Sequence, residues 1–263
     1  MSSEMDSVAI FIASSDNTRD VFERVFPTIR RQWPDCPYPI YAGFNRPFLG
    51  ARGFTPIYAP VTGWGSELRA QIAQVPAERI LLFLDDFVLL ERVDTDRVKS
   101  LVEKALSFDL AYLSFRQLRR AALPRFLRKC TRWGVAIEPV PERYPYYSSL
   151  QVALWKKGHL LRCLEREGNI WNFERLRPEE GVHHVICGDG PMRYRHIVEK
   201  GRWLPVALKA LSNAGVDADL GERPMWKAKY QMRHMLRLVR FEIIGYSAMR
   251  ARETLSAFRS RVR

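Results

Sequence analysis

The stretch that most constrains this chain is Ile80-Leu81-Leu82-Phe83-Leu84, closed by Asp85, Asp86 and Phe87. A short apolar run with no polar face suits a strand buried on both sides, and such strands belong to largely parallel sheets with helices on each face. Two adjacent carboxylates at its end then stand at a carboxyl edge of the sheet, where open α/β sheets bind ligands. A pair of this kind can hold a divalent cation, and the cation can neutralise a diphosphate. Either acid alone would be read as a strand exit that solvates a turn, so the context decides.

That context alternates. Val8 to Ser14 reads as a first strand ending in Ser14-Ser15-Asp16-Asn17, small polar residues suited to a strand exit and a helix cap. A helix is expected from Thr18 to Trp33, with Val21, Phe22, Val25, Phe26 and Ile29 on one face and Pro27 kinking it. Tyr38–Phe44 and Thr55–Ala59 read as strands. A helix capped by Ser66 follows, then the acidic-pair strand, a helix capped by Asp94 or Thr95, and a fifth strand over Leu110–Phe115. Alternation of this kind predicts an α/β fold, a mostly parallel sheet with crossover helices. From Arg116 to Tyr147 the periodicity is lost and a loop region is expected. Ser149–Trp155 and His183–Cys187 are further strand candidates, with a helix over Lys156–Glu165 between them.

With 263 residues the chain can bury one substantial core plus an appendage. We expect a catalytic domain over residues 1–205 and a basic helical extension over 206–263. No stretch approaches the roughly 20 apolar residues of a membrane span, and the N-terminus lacks a secretory pattern, so a cytoplasmic location is expected. Cys36, Cys130, Cys163 and Cys187 are too scattered for a zinc ribbon or a redox pair and read as reduced thiols.

The order of parts resembles the GT-A glycosyltransferases, bacterial surface-polysaccharide enzymes in particular. The resemblance spans residues 8–205 and rests on three features: the polar exit of the first strand, the acidic pair of the fourth, and the later Trp171-Asn172-Phe173-Glu174. It implies a Rossmann-like sheet and a nucleotide-diphosphate sugar as donor. The implied acceptor is a saccharide or lipid-linked saccharide, and the transfer is inverting. The family's Asp-x-Asp signature stands here as Leu84-Asp85-Asp86. By resemblance Asp86 coordinates Mn²⁺ or Mg²⁺, and Asp85 faces the ribose or the metal's waters. Without the first carboxylate, Arg69 is an alternative partner for the diphosphate.

Expelling a nucleoside diphosphate builds negative charge on the leaving oxygen, which a carboxylate-held cation stabilises. Inversion also needs a carboxylate to take the acceptor proton. Glu174 is the candidate base and Asp189 the reserve, against the plainer readings of a helix-start acid and a glycine-flanked turn. Trp171 is a candidate sugar-stacking face, or else a core aromatic. Donor contacts are expected at Ser14, Asp16, Asn17 and Asn45, each also an ordinary turn residue, and His196 is a candidate third metal ligand.

The net charge of +13 is concentrated near the C-terminus, where residues 224–263 carry ten Lys and Arg against two Glu, a net +8. Met232, Met235, Leu236, Val239, Ile243 and Tyr246 recur at helical spacing among these charges. Such a helix suits the anionic inner face of the cell membrane, or plain packing on the protein. Nucleic acid is disfavoured, since no recognised binding motif is present. The competing readings are a catalytically silent GT-A-like module acting through its basic tail, and a phosphohydrolase built on the same acidic pair.

Overall fold

The computed structural model describes residues 7–48, 50–118, 136–140, 144, 146–166, 169–178, 180–187, 190–216, 219–230, 232 and 236. The first half alternates as its pattern requires: β1 (Val8–Ala13), α1 (Arg19–Gln32), β2 (Ile40–Phe44), β3 (Thr55–Tyr58), α2 (Trp64–Ala73), β4 (Arg79–Leu84), β5 (Phe87–Leu89) and α3 (Thr95–Ser107). Then come β6 (Tyr112–Leu118), β7 (Ala136–Pro139), β8 (Ala153–Lys156), α4 (Lys157–Arg166), α5 (Ile170–Arg175), β9 (His183–Cys187) and β10 (Tyr194–His196). The hairpin β11 (Val198–Glu199) and β12 (Arg202–Trp203) leads to α6 (Ala207–Asn213).

Eight strands form one sheet in the order β3-β2-β1-β4-β8-β6-β9-β7. Strands β3, β2, β1 and β4 run parallel, β8 enters antiparallel between β4 and β6, β9 runs parallel to β6, and β7 closes the edge antiparallel. This mostly parallel, helix-flanked sheet is the GT-A-like α/β arrangement expected from the sequence.

Period-two alternation divides the core into two layers. Val8, Ile10 and Ile12 of β1, with Leu81 and Phe83 of β4, face α1 and α3 through Phe22, Phe26, Leu101 and Val102. Ala9 and Phe11, with Ile80 and Leu82, face α2 and α4 through Leu68, Ile72, Leu160 and Cys163. Apart from Arg79 at the start of β4, both strands are apolar along their length because both faces are covered.

Two expectations, the cap of α2 and the start of β8, are corrected, while the acidic pair ends its strand as expected: β4 stops at Leu84, the chain turns at Asp85 and Asp86, and Phe87 opens β5, which leaves the main sheet to pair antiparallel with β10. Two neighbouring carboxylates cannot be carried into a sheet interior, so the sheet ends where they begin. The α2 cap is Gly63, at φ +124°, and Ser66 lies inside the helix. The strand expected over Ser149–Trp155 begins only at Ala153, because the Leu150 N–H is taken by the Glu174 carboxylate.

Packing continues past residue 205. Ala207, Ala210 and Leu211 of α6 join Val21 and Val25 of α1, Val88 of β5 and the buried Trp203 in one apolar cluster. The basic tail beyond Leu236 lies outside the described residues, while Met232 and Leu236 themselves are exposed.

Candidate functional site

The carboxyl ends of β1 and β4 are paired in register, so Ala13 stands beside Leu84 and the residues after each emerge together. They open onto a cleft of about 270 Å³ whose floor and polar wall include Ser14, Ser15, Thr18, Asp85 and Asp86. Trp64 and Leu68 of α2, Ile170 of α5, and Val198 of β11 supply apolar walls. The Trp64 ring is fixed by an edge contact with Phe173 at 5.5 Å between centroids.

Asp85 accepts a hydrogen bond from Ser14 Oγ at 2.7 Å. It opens to the cleft on one side and is walled by protein on the others. Burial therefore pushes its pKa up to about 6, with the Thr18 and Ser14 hydroxyls and the charge of Arg223 restraining the rise. Asp86 is also raised well above the usual carboxylate range, first by burial and then by the adjacent Asp85 charge. Its Oδ1 is buried with no hydrogen-bond partner among the described residues. An orphaned carboxylate oxygen beside a second carboxylate is costly by itself. The pair offers only hard oxygen donors, which fits a Mg²⁺- or Mn²⁺-type ion that takes one or two carboxylates and fills its shell with water and phosphate oxygens.

Asp16 and Asn45 brace this site without lining it. Asp16 Oδ1 accepts from the Asn45 and Arg46 N–H groups, each at 3.2 Å, and Asn45 Oδ1 accepts from the Asp16 N–H at 3.2 Å. This exchange clasps the exit of β1 to the exit of β2. Asn45 Nδ2 in turn donates to Glu67 Oε2 at 2.9 Å, and Glu67 Oε1 accepts from the N–H groups of Thr62 and Gly63. Glu67 lines the cleft and was missed by sequence reasoning. Its only signal was a carboxylate in the first turn of a helix that opens on Gly63-Trp64-Gly65.

Other expected residues lie elsewhere. The Asn17 side chain is exposed, and it is the Asn17 carbonyl that is engaged, accepting from Arg223 Nη2 at 2.7 Å. Arg69 pairs with Glu165 of α4 and is not among the cleft residues, so it is already neutralised away from the acids. Trp171 is half exposed on α5 while its neighbour Ile170 lines the cleft, because the helix turns the two side chains apart. Glu174 holds the Leu150 N–H through Oε1 at 3.2 Å, which ties α5 to the approach to β8. His196 stands opposite Phe87 in the β5–β10 ladder. Among the described residues no three His, Cys, Asp or Glu side chains converge as metal ligands do, so His196 completes no such set with Asp85 and Asp86. Asp189 lies outside the described residues.

No family model matches the chain, and no curated protein matches it. Several solved structures are distantly similar. A structure of S. aureus TarS residues 1–349 is 12% identical, with 72% of this chain and 59% of that one covered at a TM-score of 0.40. The same fragment has been solved in complex with UDP-GlcNAc. A mycobacterial homolog of M. tuberculosis rv0371c is 13% identical over 70% of this chain and 87% of its own, at a TM-score of 0.43. The bifunctional IspDF of Campylobacter jejuni is 9% identical over 71% and 51%, at 0.42. The chain thus spans about three fifths of that TarS fragment. Likenesses this remote assign no family and no activity.

Proposed function

We propose that the chain is a glycosyltransferase that takes a nucleotide-diphosphate sugar in the Asp85–Asp86 cleft and passes the sugar, with inversion, to a saccharide or lipid-linked saccharide of a bacterial surface polysaccharide. The observation that supports this reading best is the Asp86 Oδ1 atom, buried without a hydrogen-bond partner among the described residues and beside a second carboxylate at a sheet's carboxyl edge. The site becomes electrostatically balanced when it receives a divalent cation, and a cation so held attracts a diphosphate.

Asp86 and Asp85 would hold the Mn²⁺ or Mg²⁺, which when bound supplies charge stabilisation for the departing nucleoside diphosphate. Ser14 keeps Asp85 oriented, and the Asp16–Asn45 clasp keeps the two strand exits together. The apolar wall formed by Trp64, Leu68 and Ile170 limits water around the leaving group. Glu174, one turn beyond Ile170, is the assigned base for the acceptor hydroxyl, with Asp189 in reserve. The exposed Met232 and Leu236 and the basic tail are assigned to an anionic membrane surface. No described helix is long and apolar enough to cross a membrane.

A panel of nucleotide sugars screened for thermal stabilisation, with and without Mn²⁺, tests the reading. Stabilisation by one or a few donors only when Mn²⁺ is present supports it. The absence of any stabilising donor would count against it, and salt-sensitive binding of DNA or RNA instead would favour a non-enzymatic module.

A further inference from the structure

The segment after α6 returns across the outer face of α1 and is fastened there by three arginines. Arg31 Nη1 donates to the Gly215 carbonyl at 2.7 Å, and Arg24 Nε donates to the Asp219 carbonyl. The third, Arg223, comes from the returning segment itself. Its Nε and Nη2 grip the two Asp20 carboxylate oxygens at 2.8 and 2.5 Å, while Nη2 also donates to the Asn17 carbonyl at 2.7 Å and Nη1 to the Gly201 carbonyl at 3.1 Å.

The closeness of this strap is written into its glycines. Gly215 and Gly221 have φ of +73° and +59°, and a Cβ on them would stand 2.4 Å from Arg31 Cζ and 2.7 Å from Arg24 Nη2. The positive φ at both positions favours glycine, and the missing side chains let the strap lie directly under those guanidinium groups. The hairpin it fastens also places Val198 in the wall of the cleft.

We infer that Arg223 is a positioning residue of the donor cleft, holding the β1–α1 connection through the Asn17 carbonyl and Asp20, so that Ser14, Ser15 and Thr18 face Asp85 only when the C-terminal strap is docked. This rests on the proposed reading of that cleft as a nucleotide-sugar site. The planar fork is what the job requires: a bidentate grip on one carboxylate fixes orientation, which a lysine ammonium cannot do. The Arg223 side chain is only 13% exposed, so its contacts are shielded from solvent competition. Burial works against the Asp20 carboxylate, yet the hydrogen bonds and charge of Arg223, joined by the Val21 N–H and the charge of Arg24, outweigh it and hold Asp20 below the usual carboxylate range.

The test uses the full chain, with UDP, GDP and CDP titrated singly in the presence of Mn²⁺. For the diphosphate that binds the wild type, Arg223→Gln and Asp20→Asn should each weaken affinity about tenfold, the scale on which small displacements act at a binding site. The double variant should be no weaker than either single one, because both remove the same clamp. Arg223→Lys should recover little, and it carries the test should Arg223→Gln fail to fold. With a competent donor, KM should rise while kcat holds. Variants that melt lower yet bind the diphosphate as the wild type does would overturn the inference alone, as would full recovery by Lys. If none of the three diphosphates binds the wild type, the functional reading falls and takes the inference with it.

Discussion

Replacing Asp85 by Asn should make the ligand-free protein more stable while disabling the cleft. The folded-state pKa of Asp85 is about 6 against an unfolded value of 3.8, with burial as the main cause. At about 1.4 kcal/mol per pKa unit, the ionised folded state carries a penalty of about 3 kcal/mol. The sign follows from linkage. A raised folded pKa means the folded chain holds its proton longer, so that contribution is fully present below pH 3.8 and is lost as pH rises through about 6. Asn cannot ionise, and its Oδ1 can still accept the Ser14 hydroxyl. Its NH₂ must share space near Asp86, which reduces the gain to about 2 kcal/mol at pH 8. For a chain of this size that corresponds to roughly 4–8 °C in Tm. Thermal unfolding of both proteins at pH 4 and pH 8, without divalent cation, reads the effect. Stabilisation confined to the higher pH is expected. An Asp85→Asn protein that melts no higher than wild type at pH 8, or gains equally at both pH values, would refute the electrostatic argument.

Other consequences can be checked in parallel. His183 is fully buried between the Tyr112 and Tyr147 rings, and burial pulls its pKa down to about 3. Protons therefore bind the unfolded chain first as pH falls below 6.5, and between pH 7 and 5 this should cost about 2 kcal/mol of stability. The slope difference between wild type and His183→Gln in denaturant unfolding isolates it from the opposite slope of Asp85; equal slopes would contradict it. Gly43→Ala would place a Cβ 2.2 Å from Gln71 Oε1 at the cleft wall, and a loss of about 1–3 kcal/mol is expected in the same assay. Phe83→Ala, at a fully buried β4 position, should cost about 3–5 kcal/mol. Glu174→Gln should leave donor binding largely intact and remove turnover, read by titration beside a transfer assay; undiminished turnover would exclude Glu174 as the base.

The sheet was legible because both faces of β1 and β4 are covered, and a fully apolar run is the direct print of that covering. Helices α1 and α3 were legible from their single apolar faces, and Asp94 was legible as a cap; it accepts the Arg97 N–H at 3.0 Å. The acidic pair could be placed at an edge, but its neighbours could not. Arg69 looked available, yet α4 supplies Glu165 from 96 positions later in the chain. Arg223 and Val198 were invisible because their relation to the cleft depends on a strap whose path no local pattern records. Asp16 and Asn45 were flagged as ligand contacts from their polarity, and their geometry shows that polarity spent on each other. Trp171 was marked as a sugar-facing ring by its place in the motif, whereas the helix turns it away from its neighbour Ile170, which is the residue that lines the cleft.

The most direct test of the account is isothermal titration of nucleoside diphosphates into wild type and Asp86→Ala, each with and without Mn²⁺. Saturable binding by the wild type that requires the cation and vanishes in Asp86→Ala is expected. Binding that survives in Asp86→Ala, or a wild type that binds no nucleoside diphosphate with the cation present, would contradict the claim that this pair of acids holds a metal for a diphosphate.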